Sequence, residues 1–385
     1  MPKVKGITVA DAAVVALQGE DERYMRRALE LARQAEGRTA PNPAVGAVIV
    51  RDGVIVGAGF HPAAGEPHAE IFALRQAGLA AQGATLYVTL EPCCHRGRTG
   101  PCATAVIAAG IVRVVAGCRD PNPQVSGGGF AQLQGAGIEV LSGILEDECR
   151  RLIAPFAKHI RTGRPYVTLK AGMTIDGAVA TARGESQWIT GAESRAAVHH
   201  LRNTHDAIMV GIGTVLADNP RLTTRLDQGE GKNPLRVVVD STLRTPSSSS
   251  LLAQAGRTLI LTSASASSAD AERLRSEQVE ILRVPGHPGA IDLAEAMRQL
   301  GARGIQSILL EGGGRLHHGA LHAGIVDRLC VFVAPLLLGG NGLPVFCGPG
   351  VSNLKDAFRL RQLHVERYGD DLLLHGELES SCLPD

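Results

Sequence analysis

Between His68 and Cys102 the chain spells His68-Ala69-Glu70, then Pro92-Cys93, then Pro101-Cys102. One imidazole and two thiolates form a three-ligand set for zinc that leaves the fourth tetrahedral position open to water, as in catalytic rather than structural sites. Glu70 is then the proton carrier, because hydrolytic attack on a ring carbon needs a proton taken from water and delivered to the leaving nitrogen. His-x-Glu followed by Pro-Cys-x-x-Cys is the pattern of zinc nucleobase deaminases. Here eight residues, not two, separate Cys93 from Cys102. Cys94 is a substitute for Cys93 and His95 a further ligand, and a fourth protein ligand would make a closed structural site with Glu70 idle. The blandest alternative is a set of buried free cysteines beside a surface His-Glu pair.

The elements that must hold these residues can be read around them. Pro67 suits a first helical position and Ile71, Phe72 and Leu74 begin an apolar stripe, so His68 and Glu70 belong to a first helical turn. Pro92 and Pro101 put each thiol where a turn or helix begins, and a helix N-terminus favours the thiolate. Upstream, residues 22–36 have helical spacing up to Gly37, and 47–50 with 54–60 form a hairpin about Asp52-Gly53. A strand at 84–90 delivers Cys93, a helix runs from Cys102 to Gly110, and strands at 111–116 and 138–141 flank a helix near 129–134. The ligands thus lie at the mouth of an α/β sheet. A helix over 146–161 leads to a boundary near Thr162-Gly163-Arg164-Pro165.

The second half restarts with a strand at 166–171, followed by strands at 207–210, 235–240, 258–262, 280–284, 307–310 and 328–333, with helices at 193–203 and 292–301 among them. Glu311-Gly312-Gly313-Gly314-Arg315-Leu316 follows one of these strands and opens a helix, so its N–H groups can cradle a phosphate, although such turns also merely redirect a chain. Gly211-Ile212-Gly213-Thr214 is equally ambiguous, and Arg202, Arg221 and Arg225 suit either a substrate phosphate or solvent.

A length of 385 residues suggests two domains. The balance of 39 basic against 38 acidic residues, with 3% aromatics, argues against a nucleic-acid binder. No apolar run reaches the ~18 residues of a membrane helix. Eight scattered cysteines without a disulfide-scaffold density fit a reducing cytoplasm. The expected division is a flexible extension over 1–20, a zinc-dependent deaminase domain over 21–162 and a second α/β domain over 163–385.

Longer motifs carry a resemblance over nearly the whole chain. Asn42-Pro43-x-Val45-Gly46, Gly65-Glu66-Pro67-His68-Ala69-Glu70, and Thr89-Leu90-Glu91-Pro92-Cys93 up to Gly97-Arg98-Thr99-Gly100-Pro101-Cys102 resemble the deaminase half of the bacterial bifunctional riboflavin-biosynthesis enzymes, where the long cysteine spacing is normal. Lys170 to Gly177, Gly184-Glu185-Ser186-Gln187-Trp188-Ile189-Thr190, Gly213 to Pro220, Leu222-Thr223-x-Arg225 and Glu311 to Gly314 resemble their reductase half. The resemblance implies a cytidine-deaminase-like three-layer α/β/α domain followed by a dihydrofolate-reductase-like α/β domain. It implies zinc on His68, Cys93 and Cys102 with Glu70 as proton shuttle, and NADPH contacts at Gly172, Trp188, Thr214, Asp218, Ser241 and Gly313, Gly314, Arg315, Leu316, His317, His318 and Gly319. It implies substrate contacts at Ser186, Arg202, Leu222, Arg225 and Glu311. The expected chemistry is hydrolytic deamination of a phosphoribosylaminopyrimidine, then NADPH-dependent reduction of ribosyl to ribityl, in a homo-oligomer without nucleic-acid or membrane partners. A nucleic-acid-editing deaminase and a non-catalytic zinc scaffold are the rival expectations.

Overall fold

The computed structural model describes residues 9–95, 100–123, 125–287 and 289–379, with side chains from residue 19 onward. Residues 1–8 of the expected extension, the Gly97-Arg98-Thr99 part of the cysteine motif and Cys382 lie outside the described residues. Contacts divide the chain into two units, Met1–Arg161 and Thr162–Asp385.

In the first unit, helix α1 (Val9–Arg33) starts far ahead of the position expected from spacing, because the Ala-rich run after Val9 has strong helical preference. Asp21 ties it down: its carboxylate accepts from Arg113 Nη1 and Nη2 at 2.8 and 2.9 Å and from the Tyr87 hydroxyl at 2.8 Å. Strands β1 (Gly46–Arg51) and β2 (Val54–Phe60) form the hairpin, with positive φ at Asp52 and Gly53. Then come α2 (Ala69–Ala77), β3 (Thr85–Leu90), α3 (Cys102–Ala108), β4 (Arg113–Cys118), α4 (Gly128–Gly135), β5 (Glu139–Ser142), α5 (Glu146–Leu152) and α6 (Ala154–Thr162). The helix expected over 146–161 is thus two, because Pro155 has no N–H to bond back across the junction and opens a new first turn. The sheet order is β2-β1-β3-β4-β5, antiparallel as far as β3 and parallel beyond. Helices α1 and α5 cover one face and α2, α3 and α4 the other, giving three layers. Buried on both sides, β3 and β4 read as near-continuous apolar runs. Gly59 lets α2 lie close on β2, since a Cβ there would stand 2.5 Å from Phe72 Cβ and 2.8 Å from Ala69 O.

The second unit contains β6 (Tyr166–Thr174), β7 (Ala178–Ala180), α7 (Ala192–Thr204), β8 (Ala207–Gly211), α8 (Ile212–Asp218), β9 (Leu235–Val239), β10 (Thr258–Ser263), α9 (Ser268–Leu274) and β11 (Val279–Val284). It continues with α10 (Leu293–Ala302), β12 (Ser307–Leu310), α11 (Gly314–His322), β13 (Arg328–Ala334), β14 (Leu343–Pro344), β15 (Leu360–Tyr368) and β16 (Asp371–Leu378). Nine strands form one sheet in the order β11-β10-β9-β8-β12-β6-β13-β16-β15, parallel up to β13 and antiparallel after it. Period-two alternation sends Ala207 and Met209 of β8 to the core under α10 and α11, and Ile208 and Val210 to the core under α8 and α9. Helix α7 packs Ala197, Val198 and Leu201 on Phe332 of β13. The pair β15 and β16 has no counterpart among the strands expected from the sequence. β15 is almost wholly exposed along the sheet edge and lacks the alternation that marks a half-buried strand.

Candidate active sites

His68 occupies the cap position of α2 and Glu70 lies in its first turn. Cys93 follows the end of β3, and Cys102 is the first residue of α3 behind Pro101. These three elements bring the ligand atoms of His68, Cys93 and Cys102 within 4.8 Å of one another. His68 Nδ1 stands 3.2 Å from Cys102 Sγ and 3.6 Å from Cys93 Sγ. The N···S edge of a tetrahedral zinc site with ordinary bond lengths is about 3.5 Å, so this donor set fits zinc without rearrangement. The hydrogen bond with Cys102 pulls the Cys93 thiol down, and the same interaction pushes Cys102 up. Backbone support is local, from Cys102 N to Cys93 Sγ at 3.4 Å and from Ala103 N to Cys93 O at 3.1 Å. Cys94 and His95 are not in the cluster found among the described residues, which leaves a three-ligand set.

Glu70 is only 3% exposed. Burial pushes its carboxyl up to about 7, with the Cys93 charge adding to the rise and His68 opposing it. It opens with His68 and Cys93 into a cavity of about 410 Å³, also lined by Asn42, His61, Asp120 and Asn122. His61 Nδ1 donates to Pro67 O at 3.0 Å, so its Nε2 accepts from Asn42 Nδ2 at 3.0 Å and the amide is held in one orientation. Burial pushes Asp120 up to about 6, against the hydrogen bond its carboxylate accepts from Asn122 N. His61, Asp120 and Asn122 escaped the sequence reading; the signal available was Pro before and after Asn122, a rigid turn beyond a strand.

In the second unit the expected residues gather around Glu311, just past β12. The register pairs Leu310 with Leu169, which brings Lys170 of β6 beside Glu311. Glu311 accepts a bidentate pair from Arg202 of α7 at 2.6 and 2.8 Å and lies 3.3 Å from Lys170 Nζ. Burial alone would raise its carboxyl, but the Arg202 and Lys170 charges hold it at about 2. Arg202 also donates to Thr223 O at 3.0 Å, and Arg225 to the Thr223 hydroxyl at 2.8 Å. His199 lies beside them; burial and then the Arg202 and Arg225 charges push it down to about 4. Lys170, which the sequence reading saw only as a motif's first residue, is therefore part of this cluster.

Other expected residues are placed less uniformly. Gly312 and Gly313 press on Thr214, where a Cβ would come within 3.1 and 3.3 Å of its hydroxyl oxygen, and Gly313 has φ of 87°. Helix α11 begins at Gly314, and His317 N is already bonded to Gly313 O at 2.9 Å, so the phosphate-facing part of 313–319 is its first turn only. Leu316 is buried in the core, as is Leu222, so either could meet a ligand only through its main chain. His317 is buried, bonded through Nδ1 to Val345 O at 3.1 Å. Trp188 is exposed with the Arg195 guanidinium 4.8 Å over its ring, Ser186 is half-buried and Asp218 exposed. Gly172 faces Thr190, where a Cβ would meet the methyl at 3.1 Å. Ser241, just past β9, accepts through its carbonyl from Ser263 N at 3.2 Å and shares no bond with the Glu311 group. The N–H groups of the first turn of α11 and the tight Gly312-Gly313 turn before it, at the end of β12 and packed on Thr214, fit a pyrophosphate-bearing dinucleotide.

Fold and sites together define a zinc-dependent deaminase joined to a second α/β unit that fits a dinucleotide. The family model for the cytidine and deoxycytidylate deaminase zinc-binding region matches residues 18–118, and that for the RibD C-terminal domain matches 165–374. Riboflavin biosynthesis protein RibD of Escherichia coli (strain K12) is 46% identical over 92% of this chain and 99% of its own, and that of Aquifex aeolicus 43% identical over 92% and 97%. Among solved structures, a diaminohydroxyphosphoribosylaminopyrimidine deaminase/5-amino-6-(5-phosphoribosylamino)uracil reductase of Thermotoga maritima aligns with a TM-score of 0.82 at 38% identity, covering 94% of this chain and 99% of that one. Acinetobacter baumannii RibD gives 0.81 at 38% identity with the same coverage. The chain belongs to the RibD family of riboflavin biosynthesis, bifunctional enzymes with a zinc-dependent deaminase half and an NADPH-dependent reductase half. Among the described residues no helix is long and apolar enough to cross a membrane.

Proposed function

We propose that the first site deaminates a diaminohydroxyphosphoribosylaminopyrimidine and the second reduces the resulting 5-amino-6-(5-phosphoribosylamino)uracil to its ribityl form. The observation that carries the reading is the convergence of His68, Cys93 and Cys102 on one point with the buried Glu70 carboxyl opening into the same cavity. Zinc held by those three residues would supply the Lewis acidity that makes a water acidic enough to lose its proton near neutral pH. Glu70 takes that proton and returns it to the amino group leaving the pyrimidine. Its burial suits both transfers, because desolvation disfavours the charged form and raises the carboxyl from the ordinary carboxylate range toward one in which it can both accept and release a proton.

At the second site NADPH, when bound, would supply a hydride to C1′ of the ribosyl group as the bond from C1′ to the ring oxygen breaks and the freed oxygen takes a proton. Gly172, Trp188, Thr214, Asp218, Ser241 and the 313–319 stretch are the cofactor contacts in this reading, and Ser186, Arg202, Leu222, Arg225 and Glu311 the substrate contacts. Lys170 joins them as proton donor, held by Glu311 at 3.3 Å. Arg225, with Arg221 nearby, offers charge to the substrate phosphate. The division into a 1–20 extension, a deaminase domain over 21–162 and a reductase domain over 163–385 belongs to the same reading. So does a homo-oligomer, supported by the long exposed edge of β15 with Leu363 56% and Val365 59% exposed. Balanced charge supports the absence of a nucleic-acid partner, and the unpaired described cysteines support the cytoplasm.

The test pairs two variants. Glu70→Gln keeps one zinc per chain and lowers deamination by about 10²–10⁴-fold, while reduction of already deaminated substrate continues near the wild-type rate. Cys102→Ser lowers zinc content together with deamination. Loss of NADPH oxidation in folded Glu70→Gln protein would mean that the two chemistries share a site.

A further inference from the structure

One buried carboxylate near the first site has no part in the chemistry above. Glu91 is 3% exposed and lies two residues before Cys93. Its Oε2 accepts from Asp120 N at 3.1 Å and Gly127 N at 3.0 Å, and its Oε1 from Phe130 N at 3.1 Å. All three donors belong to the segment between β4 and the first turn of α4. That segment also docks directly on the Cys93 loop: a Cβ on Gly129 would fall 1.9 Å from Pro92 O, and one on Gly128 2.7 Å from Cys94 Sγ. The same segment carries Asp120 and Asn122, whose side chains line the cavity that His68, Glu70 and Cys93 open into.

We propose that Glu91 is a positioning residue for deamination, fixing the Asp120–Asn122 wall of the pocket relative to the zinc ligand Cys93 so that the pyrimidine ring is held at the reacting carbon. A backbone N–H is an obligatory donor, and three of them ending on one side chain leave few alternatives for that wall once the side chain is changed. Glu91 also lines the cavity, but its carboxylate is taken up by the three N–H groups, so it acts by setting the distance between Cys93 and the Asp120–Asn122 wall. Gln at this position keeps the shape but presents an NH₂ group to at least one N–H donor, so the wall shifts while the fold survives.

This inference rests on the cavity being the pyrimidine site, and the experiment separates the two. Glu91→Gln, Asn122→Ala and the double variant are made in the full chain beside Glu70→Gln. For each, zinc per chain, KM and kcat for deamination, and NADPH oxidation with already deaminated substrate are measured. Glu91→Gln is expected to keep its zinc and its reductase rate, to raise KM for deamination about tenfold and to change kcat less than threefold. Because Glu91 works through the wall that bears Asn122, the double variant should be little worse than Asn122→Ala alone. An unchanged KM, a loss of zinc, or fully multiplicative effects in the double variant would overturn the proposal. If Glu70→Gln still deaminates normally, the site reading itself fails; if Glu70→Gln is dead and Glu91→Gln leaves KM untouched, only the positioning role falls.

Discussion

Glu311 is a carboxylate kept charged inside the protein by two cations. Its folded value of about 2 lies below the ordinary carboxylate value of about 4.3. The unfolded chain therefore binds this proton first on acidification, and the group's contribution to stability is full above about pH 4.5 and lost as pH falls toward 2. Arg202→Met should cost about 2–3 kcal/mol at pH 7 and nearly abolish reduction, with the gap from wild type narrowing below pH 4. Urea unfolding at several pH values, alongside NADPH oxidation, measures both; a gap that stays constant down to pH 3 would refute the ion-pair account. At this scale the sequence pointed to the His68, Cys93 and Cys102 group that the fold brings together, because a proline precedes each of the three. It hid Lys170, since a lysine inside a strand looks like an exposed side chain until its distant partner is known.

Among the elements, α2 carries His68 at its cap and Glu70 in its first turn, the proposed imidazole ligand and proton carrier, and its seat on β2 depends on Gly59. In Gly59→Ala the new Cβ would stand 2.8 Å from Ala69 O and 2.9 Å from Ala73 N, which are backbone atoms of the helix itself. The helix must lift, at a cost of about 1–3 kcal/mol, and zinc should bind more weakly. Competition with a chromogenic chelator reads the second effect, and unchanged zinc affinity would separate helix seating from metal binding. Most of both sheets was legible because parallel strands buried on two sides are continuous apolar runs. The one long helix expected over 146–161 failed at Pro155, and β15 was missed since nearly every residue of Leu360–Tyr368 is exposed or half-exposed. Neither α8 nor α9, each seven residues long, is long enough to show a period.

For the whole molecule, each unit has hydrophobic clusters of its own, from Tyr24 to Ile153 in the first and from Val167 onward in the second. Ligands should therefore stabilise them separately. Removing zinc with a chelator is expected to lower one calorimetric transition, whereas NADPH at about 100 times its dissociation constant should raise the other by about 2.7 kcal/mol. A single transition that moves with either ligand would contradict this.

The strand order of the larger sheet also dictates a sequence of events in time. The first sheet is built from neighbours close along the chain, so it can close soon after β5 has been made. In the second, among the described residues, β6 lies between β12 and β13, and β8 is joined to β6 through β12. The earliest strand of that unit thus waits, unpaired, for residues from Ser307 onward to be synthesised, while β8 to β11 assemble without it. During translation the deaminase half is complete while the heart of the reductase sheet is still a gap awaiting a late insertion, and a ribosome that stops early releases a chain with only the first chemistry.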